Sequence, residues 1–425
     1  MIMSLAVRTV AVATAVGLVS VGMAGAARAA DPGVSKTEVV IGTTTPLTGP
    51  ASPGYKDVPV AAQAYFDYVN KSGGINGRMI DFKVKDDKYS PALTGPATSD
   101  LLLNDKVFAI FGALGTDTHN TVVDILNKQK VPDIFPNTGS PTFGNIKKYP
   151  YTIPYLPSYT VEAKVMAKYI QDTAALSSKK RCFFYQDGEF GAGASDGFKA
   201  AGLDFALTTS YAAATVAQPF AAQVVKMKAA GCELVVFFGI TQATANLLGT
   251  SAKVGFKPTW MVTSVGTEPT IIKGILGASA TALMNGVYTN SFLTPITDVG
   301  NPYVKQMKTL VEASGLPWNF YTFYGVNTAY LMAQAIKAAG PNLTRQGLID
   351  AIQAKGSTFR TAAVVPFVVS NKSHQGLSGY WVGQYDSAGT LGRLTKDVFV
   401  ATSAPSGTAK ATTYTQLGPT PKLLP

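Results

Sequence analysis

The sequence is poor in the residues that build metal and redox centres. Its 425 residues include only two cysteines and two histidines. His119 and His374 are far apart, and neither lies near Cys182 or Cys232 at a metal-ligand spacing. No phosphate loop of the G-x-x-x-x-G-K type occurs. We therefore expect no metal, no cofactor and no ATP hydrolysis by the chain itself.

The sequence also lacks runs of lysine, although its formal net charge is +11. Lysines are scattered singly or in pairs, whereas nucleic-acid binding usually requires a basic cluster. We interpret the positive charge as favouring solubility and mild attraction for anions. The expected partner is a small molecule and not a nucleic acid, and we expect a monomer.

The first 30 residues contain no acid and two basic residues, Arg8 and Arg28, around an uncharged apolar run. The run ends in Ala27-Arg28-Ala29, which is typical of a signal peptide with an A-x-A cleavage site. We predict export to the periplasm or cell envelope, with cleavage favoured over a retained anchor. No second apolar stretch of about 18 residues follows, so we expect the mature protein to be soluble.

Export permits a disulfide between Cys182 and Cys232, each of which lies near the start of a predicted strand. Cysteine is also among the most buried residue types without being paired. The sequence favours two buried, unpaired thiols, with a disulfide as the alternative.

Strand and helix patterns alternate along most of the chain, which predicts α/β architecture with parallel sheets covered by helices. The pattern restarts beyond Pro157, so the two halves resemble one architecture used twice. Two such lobes facing each other enclose a cleft at their strand ends, where ligands usually bind. The predicted strands are 39–45, 79–86, 107–114 and 131–135 in the first half and 182–186, 203–209, 234–238 and 260–263 in the second.

The stretch 107–130 combines a buried strand, a polar turn at residues 115–118 and a helical apolar rhythm. Free backbone N–H groups and the hydroxyls of Thr116 and Thr118 at such a turn suit a small anion, a carboxylate or a phosphate. The competing interpretation is that Thr116, Asp117 and Thr118 only cap the helix. The stretch alone does not separate the two.

Several short motifs resemble the periplasmic branched-chain amino-acid-binding proteins of ABC transporters. They are VVIG at 39–42, PLTG at 46–49, NKSGGING at 70–77, DD at 86–87 and FG at 190–191. Their order and spacing extend the resemblance from Glu38 to beyond Asp386. It implies a type I periplasmic-binding-protein fold, with two doubly wound α/β lobes joined by a three-strand hinge, and delivery of a ligand to a membrane ABC permease.

The resemblance also implies domain boundaries. After the signal peptide at 1–30, lobe 1 comprises 31–155 plus 290–370, and lobe 2 comprises 156–289 plus 371–403. The three crossings fall near 153–158, 287–292 and 366–374. Residues 404–425, rich in Ser, Thr, Gly and Pro, form a loosely ordered tail or a strap across the second lobe.

Ligand contacts implied by the resemblance come from both lobes. The family's usual threonine at the second carboxylate turn falls on Gly139, so Thr138 or Ser140 must supply that hydroxyl. Phe190 keeps the ring of a family tyrosine and loses its hydroxyl. The remaining implied contacts are Tyr55, the backbone of Leu114 and Gly115, the Thr116 hydroxyl, and Thr241 or Gln242.

The carboxylate that neutralises an amino acid's ammonium in this family falls near Ser264, with Glu268 four residues further on. A buried ammonium without a counter-charge costs several kcal/mol. The sequence therefore predicts a carboxylate-bearing ligand, either an amino acid or an amine-free organic acid.

Two functions other than ligand transport are compatible with parts of the sequence. The stretch 193–197, GASDG, matches the G-x-S-x-G elbow of serine hydrolases, with Ser195 as nucleophile and His374 as the only downstream histidine. Ser195 lies well past the end of its strand, which disfavours an enzyme. A ligand sensor with the same fold and site is the second alternative, and the sequence does not separate it from a transport protein.

Overall fold

One parallel and one mixed β-sheet form the frame of the protein in the computed structural model, which describes residues 31–414 and 422–425. The predicted signal peptide at 1–30 lies outside the described residues. The first sheet has the strand order β2-β1-β3-β4-β5, all parallel. Its strands are β1 Glu38–Thr45, β2 Met79–Asp86, β3 Ala109–Phe111, β4 Asp133–Ile134 and β5 Thr152–Ile153.

The second sheet has the order β14-β13-β11-β10-β9-β8-β6-β7, with β12 also paired to β11. Strands β6 to β10 pair in parallel, and β11 to β14 add antiparallel pairs at one side. The strands are β6 Arg181–Gln186, β7 Leu207–Tyr211, β8 Leu234–Phe238, β9 Thr259–Val262, β10 Tyr288–Ser291, β11 Gly379–Tyr385, β12 Leu391–Arg393, β13 Val398–Val400 and β14 Lys410–Thr412.

Helices connect and cover both sheets, so central strands such as β8 are buried along their whole length. No helix in the described residues is both long and apolar enough to cross a membrane. The helices are α1 Ser52–Tyr55, α2 Asp57–Lys71, α3 Pro91–Leu103, α4 Thr116–Asn120, α5 Val123–Lys128, α6 Tyr159–Asp172, α7 Ala174–Ser177, α8 Glu189–Ala200, α9 Ala221–Ala229, α10 Thr241–Lys253, α11 Pro269–Leu276, α12 Ala280–Met284, α13 Pro302–Ala313, α14 Phe320–Ala339 and α15 Arg345–Lys355.

The chain passes between the two sheets more than once. It leaves the first sheet after β5 and enters the second lobe through α6, whose N-cap is Ser158. After β10 it returns, and α14 packs against α2 beside the first sheet. It then rejoins the second sheet at β11. This arrangement of two doubly wound α/β lobes with a hinge confirms the predicted fold class.

The predicted helix after the turn at 115–118 is interrupted in the structure. Helix α4 has only five residues, and α5 starts after a break at Thr121 and Val122, where Val122 has φ −124°. The Thr121 hydroxyl donates to Thr118 O at 2.6 Å, a local bond that competes with helix continuation. The contribution of a helix dipole at Thr116 is therefore smaller than the sequence predicts.

The described part of the C-terminal tail contacts both lobes. Lys164 Nζ donates to the carbonyl oxygens of Thr402, Ala404 and Ser406 at 2.6–3.1 Å, and β14 extends the second sheet. Lys337 Nζ donates to Pro425 O at 2.6 Å on the first lobe. Residues 415–421, which belong to the same predicted tail, lie outside the described residues.

Cys182 and Cys232 form a disulfide, with their Cα atoms 5.7 Å apart. The sequence-based preference for unpaired thiols is therefore wrong. Strands β6 and β8 are neighbours in the second sheet, and Cys232 lies two residues before β8. This adjacency brings together two residues that are 50 positions apart in sequence.

We expect reduction of this disulfide to lower the free energy of unfolding by about 2–4 kcal/mol, because the bond restricts the unfolded chain. Urea unfolding of the mature protein with and without reductant measures the change. The control is the double variant Cys182→Ser/Cys232→Ser, which reductant should leave unaffected. An unchanged wild-type midpoint under full reduction would contradict the prediction.

Candidate functional site

The polar turns that follow β3 and β4 meet where the two lobes face each other. The hydroxyls of Thr116 and Thr138 lie 2.7 Å apart, and both side chains are buried. Of the two hydroxyls that sequence reasoning offered for the second turn, Thr138 is therefore the one beside Thr116. Ser140 points elsewhere: its hydroxyl donates to Glu189 of the second lobe.

Two backbone amides of the first turn are already engaged within the first lobe. Leu114 N donates to Thr44 O at 2.9 Å, and Gly115 N donates to Asn137 O at 3.3 Å. The expectation that the turn offers these N–H groups to an anion is wrong, because they hold neighbouring strand ends together. These two amides are therefore not available to a ligand, whereas the Thr116 hydroxyl lies beside that of Thr138.

Tyr159 is the residue that sequence reasoning missed. Burial raises the pKa of its phenol, and the hydroxyls of Thr138 and Thr116 partly offset the rise, which puts the phenol beside the threonine pair. A Cβ on Gly139 would lie 2.8 Å from Tyr159 Cδ1. The glycine at position 139 thus makes room for the Tyr159 ring, which packs against Phe190 at an interplanar angle of 42° with centroids 4.4 Å apart.

The position of Tyr159 in the sequence offered one signal. It follows the Pro157-Ser158 crossing and opens the first helix of the second lobe, where Ser158 caps the helix. A tyrosine at the first position after a hinge crossing lies near the cleft by topology alone. The sequence-based prediction starts the helix only at Val161 and gives Tyr159 no role.

Tyr55, the last residue of α1, joins the two lobes. Its hydroxyl donates to Val265 O at 3.3 Å, and its ring meets Tyr321 edge-on at 4.9 Å. Gly54 has φ +85°, and a Cβ there would lie 2.2 Å from Tyr321 Cε2, so only glycine allows this packing. Thr241 completes the group, with its hydroxyl 2.7 Å from Tyr321 OH.

Gln242 is not part of this group. Its side-chain amide donates to Asn246 Oδ1 at 3.4 Å along the same helix. Thr241 is therefore the residue of this pair that the structure brings to the interface. The gap bounded by Tyr55, Tyr321 and Phe320 has a volume of only about 10 Å³, so the lobes are in contact.

Residue 264 is a serine and has no carboxylate of its own, but it is hydrogen-bonded to the carboxylate of Glu162 in α6. Ser264 N donates to Glu162 Oε1 at 2.6 Å, and Thr263 Oγ1 donates to Glu162 Oε2 at 2.9 Å. Burial raises the pKa of Glu162 to about 7, although these hydrogen bonds oppose the rise. Glu162 also lies one helical turn from Tyr159, so both face the same region.

Glu268 caps a helix with one carboxylate oxygen, while its other carboxylate oxygen is buried in the interior. Its Oε2 caps α11 by accepting hydrogen bonds from Ile271 N at 2.9 Å and from the Thr270 hydroxyl at 2.6 Å. Its Oε1 is buried without a hydrogen-bond partner. Burial raises the pKa of this carboxyl group as well.

The geometry does not support a hydrolase. Ser195 lies exposed in the middle of α8, not at a strand-to-helix elbow. His374 is buried, with Nδ1 2.7 Å from Thr152 O and Nε2 2.8 Å from the Gln353 side-chain nitrogen. These contacts hold the imidazole in a separate hydrogen-bonded network and leave Ser195 without a histidine base.

Comparison with known proteins identifies the family. The family model described as periplasmic binding protein matches residues 38–390. This chain is a member of the periplasmic binding protein family. Members of the family are exported, non-enzymatic binding proteins, and the match bears out the resemblance inferred from the motifs.

A curated relative and two solved structures show the same relationship. A Leu/Ile/Val-binding protein homolog of Brucella melitensis is 26% identical over 364 residues, covering 85% of this chain and 91% of the relative. A fatty acid ABC transporter substrate-binding protein from Thermomonospora curvata aligns with a TM-score of 0.77 and 20% identity, covering 91% and 98%. A branched-chain amino acid ABC transporter protein from Thermus thermophilus with bound valine aligns with a TM-score of 0.75 and 18% identity, covering 87% and 98%.

The raised pKa of Glu162 predicts a pH-dependent stability. A buried acid with a pKa near 7 holds its proton more tightly in the folded state than in the unfolded chain, whose ordinary value is 4.5. The free energy of unfolding should therefore fall by about 3 kcal/mol as pH rises from below 4.5 to above 7. In Glu162→Gln this part of the pH dependence should disappear.

The measurement is urea unfolding of wild type and Glu162→Gln between pH 4 and pH 8. Glu233→Gln, which removes an exposed carboxylate of the same lobe, serves as the matched control and should keep the wild-type profile. Identical profiles for wild type and Glu162→Gln would show that the folded protein does not perturb Glu162.

Proposed function

We propose that the mature protein is the extracytoplasmic solute-binding component of an ABC transporter. It captures a small carboxylate-bearing ligand in the cleft between the lobes and delivers it to the membrane permease. The proposed lobes are 31–155 plus 290–370 and 156–289 plus 371–403. Export is supported by the family membership and by the disulfide, since disulfides persist mainly outside the reducing cytosol.

The observation that carries the proposal is the buried threonine pair at the interface. Thr116 and Thr138 lie 2.7 Å apart on neighbouring turns, with the Tyr159 phenol beside them. One threonine hydroxyl donates to the other, which leaves the second threonine proton and the Tyr159 phenol proton for a carboxylate, and hydrogen bonds to an ionised acceptor are stronger than neutral ones. None of the cleft side chains described above is positively charged, so the hydroxyls hold the anionic end of the ligand.

The two solved relatives support the same ligand class. One is a fatty acid ABC transporter substrate-binding protein, and the other is a branched-chain amino acid transporter protein with bound valine. Fatty acids and valine share a carboxylate and an apolar chain and differ in the amine. The ligand therefore has a carboxylate, and its apolar chain contacts the rings of Tyr55 and Phe190.

The distribution of the hydroxyls and aromatic rings over both lobes favours closure of the lobes around the ligand. Thr116, Thr138 and Tyr55 belong to the first lobe, whereas Tyr159, Phe190 and Thr241 belong to the second. A ligand that touches both groups binds the closed arrangement better than the open one and shifts the population towards it. The permease then recognises the closed form.

The primary experiment is thermal-shift screening of the mature protein against amino acids, aliphatic and aromatic acids and short amides. With an acid that shifts the melting temperature in hand, we expect Thr116→Val to weaken its binding by about 1.5–3 kcal/mol, the value of a hydrogen bond to a charged group. Isothermal titration calorimetry measures the change. Thr116→Ser, which keeps the hydroxyl, should retain most of the affinity.

Thr98→Val serves as the control for burying an extra methyl group, because Thr98 is equally buried but lies on α3 outside the cleft. It should bind like wild type. If Thr116→Val bound every acid as tightly as wild type, Thr116 would not belong to the site.

Tyr159 gives an independent test of the same site. Tyr159→Phe keeps the ring that packs against Phe190 and removes only the hydroxyl beside the threonines. We expect it to weaken binding of the acid by about tenfold, or about 1.4 kcal/mol, with little loss of stability. Titration calorimetry and thermal unfolding of the same sample separate the two effects. A fall in stability without a fall in affinity would reduce Tyr159 to a packing residue.

A further inference from the structure

One short segment of the second lobe is hydrogen-bonded to three loops of the first lobe. The segment, residues 186–189, joins the end of β6 to the start of α8. Its partners are Tyr89 after β2, Asn120 after β3 and Ser140 after β4. These bonds join protein groups directly, so they contribute to the contact between the lobes whatever the ligand is.

The sheet order places this contact at the side of the cleft that is farthest from the hinge. In the first sheet, β2 and β5 are the two outer strands, and the chain crosses to the second lobe after β5. In the second sheet, β8 and β9 separate β6 and β7 from β10 and β11, the strands next to the other crossings. Groups on the far side move most when the lobes rotate about the hinge. The contact therefore lies at the mouth of the cleft, where it breaks as soon as the lobes part.

The turn that carries Tyr89 has an unusual backbone conformation. Lys88 and Tyr89 have φ angles of +54° and +60°, which residues other than glycine rarely adopt. The buried carboxylate of Asp87 accepts hydrogen bonds from Tyr89 N and from the Thr94 hydroxyl, both at 3.0 Å. Asp86 accepts a hydrogen bond from Lys88 N at 3.0 Å. The two aspartates of the DD motif thus hold a conformation that is costly by itself, and such conformations are concentrated at functional sites.

The Tyr89 phenol reaches across the cleft to Gln186. Gln186 Nε2 donates to Tyr89 OH at 3.1 Å, and the Tyr211 hydroxyl donates to Gln186 Oε1 at 3.2 Å. The Tyr89 ring packs on Gly115 of its own lobe, where a Cβ would lie 2.8 Å from Tyr89 Cε2. The ring is therefore positioned by the first lobe, whereas the partner of its hydroxyl belongs to the second. Gln186 is buried, so its amide loses a partner when the lobes separate.

Glu189 provides the other part of the contact. One carboxylate oxygen accepts a hydrogen bond from the Ser140 hydroxyl, and the other accepts one from Asn120 Nδ2 at 3.0 Å. Hydrogen bonds to a carboxylate are stronger than those between neutral groups. Asp117 lies against the preceding residue, Gly188, where φ is +96° and a Cβ would lie 2.5 Å from Asp117 Oδ2. Only glycine lets the first lobe approach the start of α8 this closely.

We propose that Tyr89, Gln186 and Glu189 form a latch at the mouth of the cleft, which holds the lobes closed and sets how long a bound solute is retained. The latch itself is a property of the two lobes, whereas its effect on retention rests on the proposed function. Its residues bond to each other's lobe and need not touch the solute. Asp86 and Asp87 act as positioning residues, because they hold the turn that carries Tyr89.

The latch implies a specific kinetic pattern. A solute enters while the lobes are apart, before the latch bonds form, so loss of a latch bond should not slow association. Release requires the bonds to break. Without the Tyr89–Gln186 bond, which has the net value of a neutral hydrogen bond, a bound solute should dissociate about two- to tenfold faster.

The direct test measures the separation of the lobes without any ligand. Spin labels on Leu103→Cys of the first lobe and Val225→Cys of the second report this distance by double electron–electron resonance on the mature protein. Both positions are exposed, and the native cysteines escape labelling because they form a disulfide. We expect Tyr89→Phe to lower the ratio of closed to open populations by about two- to tenfold.

The matched control is Tyr151→Phe. The Tyr151 hydroxyl donates to Gln346 Oε1 at 2.6 Å, which is a bond between the same two residue types but within the first lobe. This variant loses a tyrosine–glutamine bond without weakening the contact between the lobes. It should keep the wild-type distance distribution and the wild-type dissociation rate.

The kinetic test uses leucine and 4-methylpentanoate as probes in stopped-flow measurements. Tyr89→Phe and Gln186→Met should each speed dissociation, and the double variant should dissociate no faster than the faster single variant, because both remove the same bond. Glu189→Gln should also speed dissociation, since it removes the charge that strengthens the second contact. Asp196→Asn, which changes an exposed acid of the same helix, should leave the rates unchanged.

The outcomes separate the latch from the proposed function. Identical distance distributions for wild type and Tyr89→Phe would overturn the latch and leave solute binding intact. Effects of Tyr89→Phe and Gln186→Met that multiply in the double variant would also overturn it, because they would act independently. If neither acid bound to wild type, the proposed function would fail for these acids, whereas the distance measurement would still decide the latch.

Discussion

The closed interface between the lobes removes polar groups from water, and each of them must find a partner. Strand ends of the two sheets meet there, so threonine, tyrosine and carboxylate side chains face one another instead of solvent. Thr116 and Thr138 hydrogen-bond to each other at 2.7 Å, and the Ser140 hydroxyl donates a hydrogen bond to Glu189 across the cleft. A buried polar group without a partner is costly, so the surplus groups define where a ligand must contribute.

This constraint explains why one glycine changes the character of the site. At Gly139 a side chain would collide with the Tyr159 ring. Glycine at position 139 provides no hydroxyl where the family usually has a threonine. The Tyr159 phenol from the second lobe lies beside Thr116 and Thr138 instead. The donor therefore comes from the opposite side of the cleft and is in position only when the lobes meet. In the proposed site, anion binding and closure are therefore coupled through this single side chain.

The sequence predicted the two-lobed fold because strands, polar turns and helices alternate with clear hydrophobic periodicity. It also indicated Thr116, since a hydroxyl at the end of a buried strand has a position that topology nearly fixes. Partners that depend on which strands are neighbours were harder to predict. Cys182 and Cys232 are such a case, because only the adjacency of β6 and β8 brings them together.

Glu162 and Tyr159 were missed for a related reason. Both lie in a helix whose pattern resembles that of any amphipathic helix, and a glutamate in such a helix usually faces solvent. Their burial depends on the loop at Ser264 and on the first-lobe turns packing against α6, which are long-range contacts. Local pattern carries no information on them. The interruption after α4 had a local cause, but several threonines in succession allow more than one hydrogen-bonding arrangement.

Charge decides how the proposed site would hold its ligand. The threonine and tyrosine hydroxyls offer dipoles but no positive charge, so a carboxylate between them would be held by hydrogen bonds and not by an ion pair. Glu162 and Glu268 are both buried, and burial raises the pKa of each. A carboxyl group that keeps its proton adds no negative charge to the interface. The burial that raises these pKa values therefore also lowers the repulsion that an anionic ligand would meet.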